Sequence, residues 1–382
     1  MPEIKIRTID SIDAIEPERW DLCAGNDSPF CLHAFLRTME RSGSATTKSG
    51  WSPLHLLAEA EDGTLIGCAP NYIKSHSFGE YVFDWGWSEA WQRSGRAYYP
   101  KLQCAIPFTP ATGPRLMVHP DWRGQGVERA MAKSLVKIVN QTEMSGAHIT
   151  FLTIEEADEL TNSGWLLRTG MQYHWTNDGY RSFDDFLAAL SSRKRKAIRK
   201  ERERAGELDI TIHTLTGADI TPGHWQAFYG FYLDTIEKKW AHAYLTQEFF
   251  TQLGETMPER VVLFMAEQNG RWVAGALNFL GSNTLYGRNW GAAGEFRYLH
   301  FEMCYYRAID YAIAHGLARV EAGAQGEHKI SRGYLPSPTY SMHWIRELHF
   351  RQAIADFLER ERDMMVVSMH SLMDDSPFKR GE

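Results

Sequence analysis

The feature that most constrains this chain is a pattern that occurs twice. Leu54-His55-Leu56-Leu57-Ala58-Glu59 turns at Asp62-Gly63 and runs back as Leu65-Ile66-Gly67-Cys68-Ala69-Pro70. Val261-Val262-Leu263-Phe264-Met265-Ala266-Glu267 turns at Asn269-Gly270 and runs back as Arg271-Trp272-Val273-Ala274-Gly275-Ala276-Leu277. Both read as β-hairpins, apolar runs joined by turn-forming dipeptides. Ala58-Glu59 matches Ala266-Glu267 and Gly67 matches Gly275; 266 − 58 and 275 − 67 are both 208. In each copy a third strand is expected, ending in Trp-Gly (Trp85-Gly86 and Trp290-Gly291). Helices are then expected near 127–144 and 298–315, each followed by a β-rich run, at His148–Leu152 and Ala318–Glu321. One order of elements used twice predicts a tandem duplication of an α/β (α+β) domain, with mixed central sheets flanked by helices.

A length of 382 residues suits two domains. The expected division is a first domain over 1–181, a linking helix over 182–210 and a second domain over 211–382. The first copy carries an additional segment near 88–122, rich in Pro, Gly and aromatics. Ser182-Phe183-Asp184-Asp185 reads as a helix start, and one long helix is expected from there to about residue 208. It contains Arg193-Lys194-Arg195-Lys196-Ala197-Ile198-Arg199-Lys200-Glu201-Arg202-Glu203-Arg204, with eight cations and two acids. Against a net charge of −7 this is a local patch, so a polyanion such as tRNA would meet Arg193–Arg204 and no broad basic face. Five cysteines without a CxxC, and a polar start at Met1–Arg7, predict reduced thiols in a cytoplasmic protein. No apolar run is long enough to span a bilayer. No metal ligand set, P-loop or dinucleotide loop stands out, and no permanently bound cofactor is expected.

The richest chemistry lies in 319–336, Arg-Val-Glu-Ala-Gly-Ala-Gln-Gly-Glu-His-Lys-Ile-Ser-Arg-Gly-Tyr-Leu-Pro. It begins as a strand and becomes a loop of small residues carrying Gln325, Glu327, His328, Lys329 and Arg332. Small residues let backbone or ligand come close, and such loops commonly carry catalytic groups. Aminolysis of an ester or thioester needs a neutral amine, a held carbonyl and an oxyanion donor, but no side-chain nucleophile. His328 or Glu327 would take the ammonium proton, Gln325 would steady the carbonyl, and Lys329 and Arg332 would hold a phosphate or carboxylate. His300 and Glu302 open the second-copy helix, where a helix N-terminus favours an anion and a neutral imidazole. Tyr286, Arg288 and Trp290 on the preceding strand, with Lys239 and Trp240, would line the cleft. A competing reading is a glycan- or peptide-precursor-binding protein without chemistry, to which the aromatic content of 13 % would also lend itself.

Two resemblances follow from quoted residues. Leu116-Met117-Val118-His119-Pro120-Asp121-Trp122-Arg123-Gly124-Gln125-Gly126-Val127 resembles the acyl-coenzyme A loop of the Gcn5-related N-acetyltransferases (GNAT). That likeness implies a pyrophosphate held at Arg123, Gly124 and Gly126. The chain departs from it at Glu128, where the family has Gly or Ala. Pro107–Arg115, the run at 191–202 and Gly326-Glu327-His328-Lys329-Ile330-Ser331-Arg332-Gly333 together resemble the FemAB-like bacterial acyltransferases, over about Ser28 to Phe378. That resemblance implies two tandem GNAT-like domains and transfer of an acyl or aminoacyl group, from acyl-CoA or aminoacyl-tRNA, to an amine of a cell-wall precursor or small molecule. Arg332-Gly333-Tyr334 resembles the Lys-rich Gly-Phe loop of better-known Fem relatives, with Arg in place of Lys; this places Tyr334 in the substrate site.

Overall fold

The computed structural model describes residues 4–238, 243–323 and 326–379. Lys239, Trp240 and Gln325, three of the expected site residues, lie outside them. In chain order the first elements are β1 (Lys5–Ile9), α1 (Pro17–Ala24), α2 (His33–Arg41), β2 (Trp51–Pro53), β3 (His55–Glu59), β4 (Leu65–Ala69) and β5 (Asn71–Lys74). Next come α3 (Trp85–Arg93), β6 (Lys101–Cys104), β7 (Met117–Val118), α4 (Val127–Thr142), β8 (Gly146–Leu152), α5 (Ile154–Thr161) and β9 (Leu166–Thr176). Then follow α6 (Phe183–Ala189), α7 (Ser192–Gly206), β10 (Thr211–Thr216), α8 (Pro222–Lys238), α9 (Gln247–Thr256), β11 (Val261–Gln268), β12 (Arg271–Leu280) and β13 (Thr284–Ala292). The last are α10 (Leu299–Phe301), a π segment (Glu302–Tyr306), α11 (Arg307–Ala314), β14 (Arg319–Glu321), β15 (Leu335–Ile345) and α12 (Leu348–Asp374).

These form two compact units, Met1–Gly170 with Pro338–Val367, and Met171–Ser337 with Ser368–Glu382. The units are therefore not the contiguous segments expected: 182–210 falls within the second and 338–367 within the first. The physical reason is strand pairing. Residues 340–345 of β15 pair antiparallel with β8, covering an edge that the first unit would otherwise leave open.

In the first unit β1, β3, β4 and β7 form one sheet, and β15, β8, β6, β5 and β2 lie in order in another. Helix α4 buries Val127, Met131, Ala132, Leu135 and Val139, a stripe at helical spacing. Gly67 is obligatory there, because a Cβ would stand 2.8 Å from Val127. The expected strand at Tyr81–Trp87 is absent; the chain is irregular there and enters α3. Trp87 and Trp91, one turn apart, are both buried and pack against Tyr98, Ile345, Ile354 and Leu358. Four apart, the two rings lie one above the other on a single face of this helix.

The first unit also holds an ionisable interior. Lys101, 1 % exposed, bonds to Glu80 (2.7 Å), Asp84 and Ser77 (3.0 Å). Tyr98 donates to Asp84 at 2.6 Å. His148 and His343 face each other with Nδ1 atoms 2.8 Å apart, and Ser341 is 2.9 Å from the second ring.

In the second unit β10, β11, β12, β13, β14 and residues 171–176 of β9 lie side by side. The third strand, with Trp290-Gly291, is present here as expected. The β11–β12 turn has Asn269 at φ 51° and Gly270 at φ 73°, the type I′ geometry that Asn-Gly favours. Both hairpins bulge after the matched alanine, between Ala58 and Glu59 and between Ala266 and Glu267. The expected long helix is two helices, broken where Leu190 is extended and Ser191 N–H bonds to Pro377 O at 2.9 Å. Packing of Leu187, Leu190 and Ile198 into the core fixes α6 and α7 separately.

Candidate active site

The second unit positions the site through its two parallel strands, β13 and β14, in which Tyr286 pairs with Glu321. The chain leaves β14 at Ala322 and Gly323 and forms a 3-10 turn over Glu327–Arg332. Gly326 at φ 111° opens this turn; a Cβ there would be 2.4 Å from the His328 ring. Only glycine lets the imidazole fold back over its own loop.

Lys329 is 2 % exposed, and its ammonium donates to Gly323 O at 2.9 Å. Burial pulls its pKa down to about 8, with Cys304 opposing. His328 is exposed, and its Nε2 lies 2.9 Å from Tyr305 Oη. Partial burial first, then Arg332 and Lys329, lower its pKa below the ordinary value, so the ring is neutral at pH 7. The Tyr305 pair is set by the π segment, which places consecutive tyrosines on different partners: Tyr306 donates to Glu201. π segments of this kind often occur at functional sites. His300 joins the cluster, with ring centroids 5.3 Å from Tyr305, 5.3 Å from Trp290 and 6.4 Å from His328.

Other expected residues hold the site together. Arg332 forms a two-pronged pair with Glu201 (3.1 and 2.8 Å), donates to His328 O (2.7 Å) and lies over the Phe301 ring. Its guanidinium is taken up internally and is not free for a phosphate. Glu302 is gripped by Arg202 (3.1 and 3.0 Å) and by Arg307 (3.2 Å), so it is a structural anion, not a base. Tyr334 is fully buried and donates to Tyr305 O at 3.1 Å. Tyr286 is buried, Arg288 and Trp290 are half-buried, and Glu327 is exposed at the start of the turn.

Helix α7 divides its charges. Arg202 turns inward to Glu302 and to Asp310 (2.7 Å), and Arg204 lies near Tyr298 Oη at 3.3 Å. Arg193, Lys196, Arg199 and Lys200 are exposed. In the first unit, the Gly124–Gly126 turn precedes α4 as expected, but the depression beside it is lined by Glu128, Glu155, Glu156 and Glu159 together with Arg129. Glu156 accepts the N–H groups of Arg115, Leu116 and Thr153 (2.7, 2.6 and 3.0 Å). Such a carboxylate lining opposes a pyrophosphate.

Sequence reasoning passed over two residues. Glu321 is 3 % exposed, and burial raises its pKa to about 7 despite Arg319 and Arg288. Across the sheet it pairs with His174, 7 % exposed, whose pKa burial and then Arg319 and Lys329 lower to about 3. The alternation Gln172, His174, Thr176 against Tyr173, Trp175 was the signal available: one face of that strand is polar although the strand is interior.

Two units that each carry a hairpin, a helix and a following strand, with a polar loop after the last strand of the second, define a tandem GNAT-like fold. A family model described as peptidoglycan biosynthesis/recognition matches residues 11–380, and the chain belongs to that FemAB-like family. Among solved structures it is similar to FemX (13 % identity, TM-score 0.56, 89 % of this chain and 98 % of that one). It is also similar to the C-terminal domain of a lysylphosphatidylglycerol synthetase from Agrobacterium fabrum (8 %, 0.54, 89 % and 94 %). A third is L-PGS from Bacillus licheniformis (10 %, 0.51, 94 % and 99 %). At these identities the likeness is one of fold. No curated protein sequence matches the chain.

Proposed function

We propose that the second unit transfers an acyl or aminoacyl group from an activated ester or thioester to an amine, at the 326–332 turn. The observation that carries this reading is the neighbouring pair His328 and Lys329: an exposed, neutral imidazole beside a buried lysine near its titration point. A neutral imidazole accepts a proton from the attacking nitrogen, and the Lys329 charge, held behind the turn at Gly323 O, adds a positive field for the oxyanion that develops on the carbonyl. Tyr305 orients the imidazole through its hydroxyl, as a positioning residue. Arg332 fixes the turn through Glu201.

Aminoacyl-tRNA is the donor favoured here over acyl-CoA. The exposed cations of α7 belong to the same unit as the turn, whereas the glycine turn that would receive coenzyme A is beset by carboxylates. Family membership makes a peptidoglycan-precursor amine the acceptor class to try first. His328→Ala and Lys329→Ala should each lower transfer by about two orders of magnitude or more while the protein stays folded. Folded variants with full activity would remove the turn from the site. Thermal shift compares donors cheaply: a ligand at a hundredfold its Kd stabilises by about 2.7 kcal/mol. Charged tRNA should shift the melting point and coenzyme A should not; the reverse result would transfer the donor site to the Gly124–Gly126 turn.

A further inference from the structure

We propose that the segment from Phe78 to Trp85 is a membrane-docking loop, through which the first unit lies on the surface of a bilayer containing anionic phospholipid. The loop lies wholly in the first unit and owes nothing to the transfer reading of the second.

The loop reverses the usual distribution of residues. Its two acids are turned inward: Glu80 and Asp84, each 3 % exposed, are held by the buried Lys101. Its rings are turned outward: Phe78 is 64 % exposed, Phe83 58 % and Trp85 41 %. Tyr81 and Val82, between them, are half-buried. Of the described Phe, Tyr and Trp residues only Phe357 is otherwise exposed. Scattered apolar side chains on a surface need no explanation, but clustered rings above buried charges do.

The arrangement is held from within. Lys74 Nζ donates to Phe78 O (3.3 Å), and Arg168 donates to Phe83 O (2.7 Å). Asp84 O accepts the N–H groups of Trp87 and Ser88 at the start of α3 (3.0 and 3.1 Å). Gly79, at φ 81°, lies where a Cβ would stand 2.3 Å from the Phe108 ring. Carbonyls bonded inside the protein need no water, which is what entry into an apolar medium requires of a loop.

The surroundings select lipid over other occupants. From Ser75 to Ser88 no charged side chain reaches the surface. The His76 ring, whose pKa burial and then Lys74 lower, is neutral at pH 7. A sugar would ask for polar groups beside the rings to bond its hydroxyls, and both carboxylates here are engaged by Lys101. The three rings offer roughly 350 Å² together, well short of the ~800 Å² per partner that a stable protein interface buries. Phe, Tyr and Trp are the residues that settle at the headgroup level, and a few of them suffice for reversible attachment. The next exposed charges along the chain are Glu89, Arg93 and Arg96, two cations to one acid on a protein of net charge −7. Arg96 also meets Glu347 at 2.5 Å. Exposed arginines beside inserted rings attract anionic headgroups.

Co-sedimentation of the full chain with vesicles of phosphatidylcholine and phosphatidylglycerol tests this without any transfer assay. The wild type should pellet with them. The triple variant Phe78→Ser, Phe83→Ser, Trp85→Ser should partition at least about tenfold less, with an unchanged urea midpoint because the rings lie at the surface. Lipids brominated on the upper acyl chain should quench part of the wild-type tryptophan emission, and Trp85→Phe should lose that quenching while still pelleting. No pelleting of the wild type, equal partition of the triple variant, or quenching that persists in Trp85→Phe would each overturn the proposal. Chitin oligosaccharides that bind the wild type and not the triple variant, in the absence of vesicle binding, would make the loop a glycan platform instead. A wild-type dimer that the triple variant dissolves, again without vesicle binding, would make it a subunit contact.

Discussion

Lys329 shows what burying a lysine asks of stability. Its pKa of about 8 in the fold compares with 10.5 in an unfolded chain. Below pH 8 both states are protonated and the folded state carries the full burial penalty. Between 8 and 10.5 the unfolded chain keeps a proton that the fold has released, so stability rises with pH across that window. Lys329→Met should therefore be more stable than the wild type at pH 7, by about 1–3 kcal/mol. The margin should shrink as pH climbs towards 10.5, read from urea midpoints. A margin independent of pH would show that the lysine is not strained by burial. His148 and His343 carry the opposite liability. Burial holds His148 at about 3 and His343 well below its ordinary value. Above pH 6.5 both states are neutral and the pair is indifferent to pH. Below it the unfolded chain gains protons that the fold refuses, so stability falls, by up to about 2 kcal/mol per ring at pH 5. Replacing both by Gln should flatten that decline between pH 7 and 5, whatever it does to the absolute midpoint.

Among the elements, α7 combines two tasks on different faces. Arg202 and Glu201 lock it to the core of its unit, while Arg193, Lys196 and Lys200 point to solvent. Reversing those three to Glu should leave the melting temperature nearly unchanged, since surface charges contribute little. It should weaken tRNA binding and reduce the slope of log affinity against log salt by about two to three. An unchanged slope would show that the helix faces no polyanion. The hairpins were legible in the sequence because period-two apolar runs and Asn-Gly turns act locally. Helix α3 was not, since Tyr81–Trp87 has strand-like composition and only the distant Ile345, Ile354 and Leu358 make Trp87 and Trp91 a helix face. The 326–332 turn was legible as a cluster of polar residues, but which of them are taken up internally was not. Arg332 and Glu302 looked free because their partners, Glu201 and Arg202, lie about a hundred or more positions away. Glu321 was hidden inside a strand whose partner, His174, lies in another part of the sequence.

For the whole molecule, no described helix is long and apolar enough to cross a membrane, and all five cysteines are unpaired, four of them buried. The chain joins the FemAB-like family with its duplicated plan visible but unequally kept: the second unit retains the third strand and a polar loop, the first a carboxylate-lined turn and a charged interior. One consequence follows from where residues 338–367 belong. During synthesis on the ribosome, the first unit cannot finish its sheet when its own 170 residues have emerged. Strand β8 must wait, one edge bare, until residues 340–345 have been made. A chain that stops between Gly170 and Pro338 therefore leaves an open-edged fragment prone to self-association.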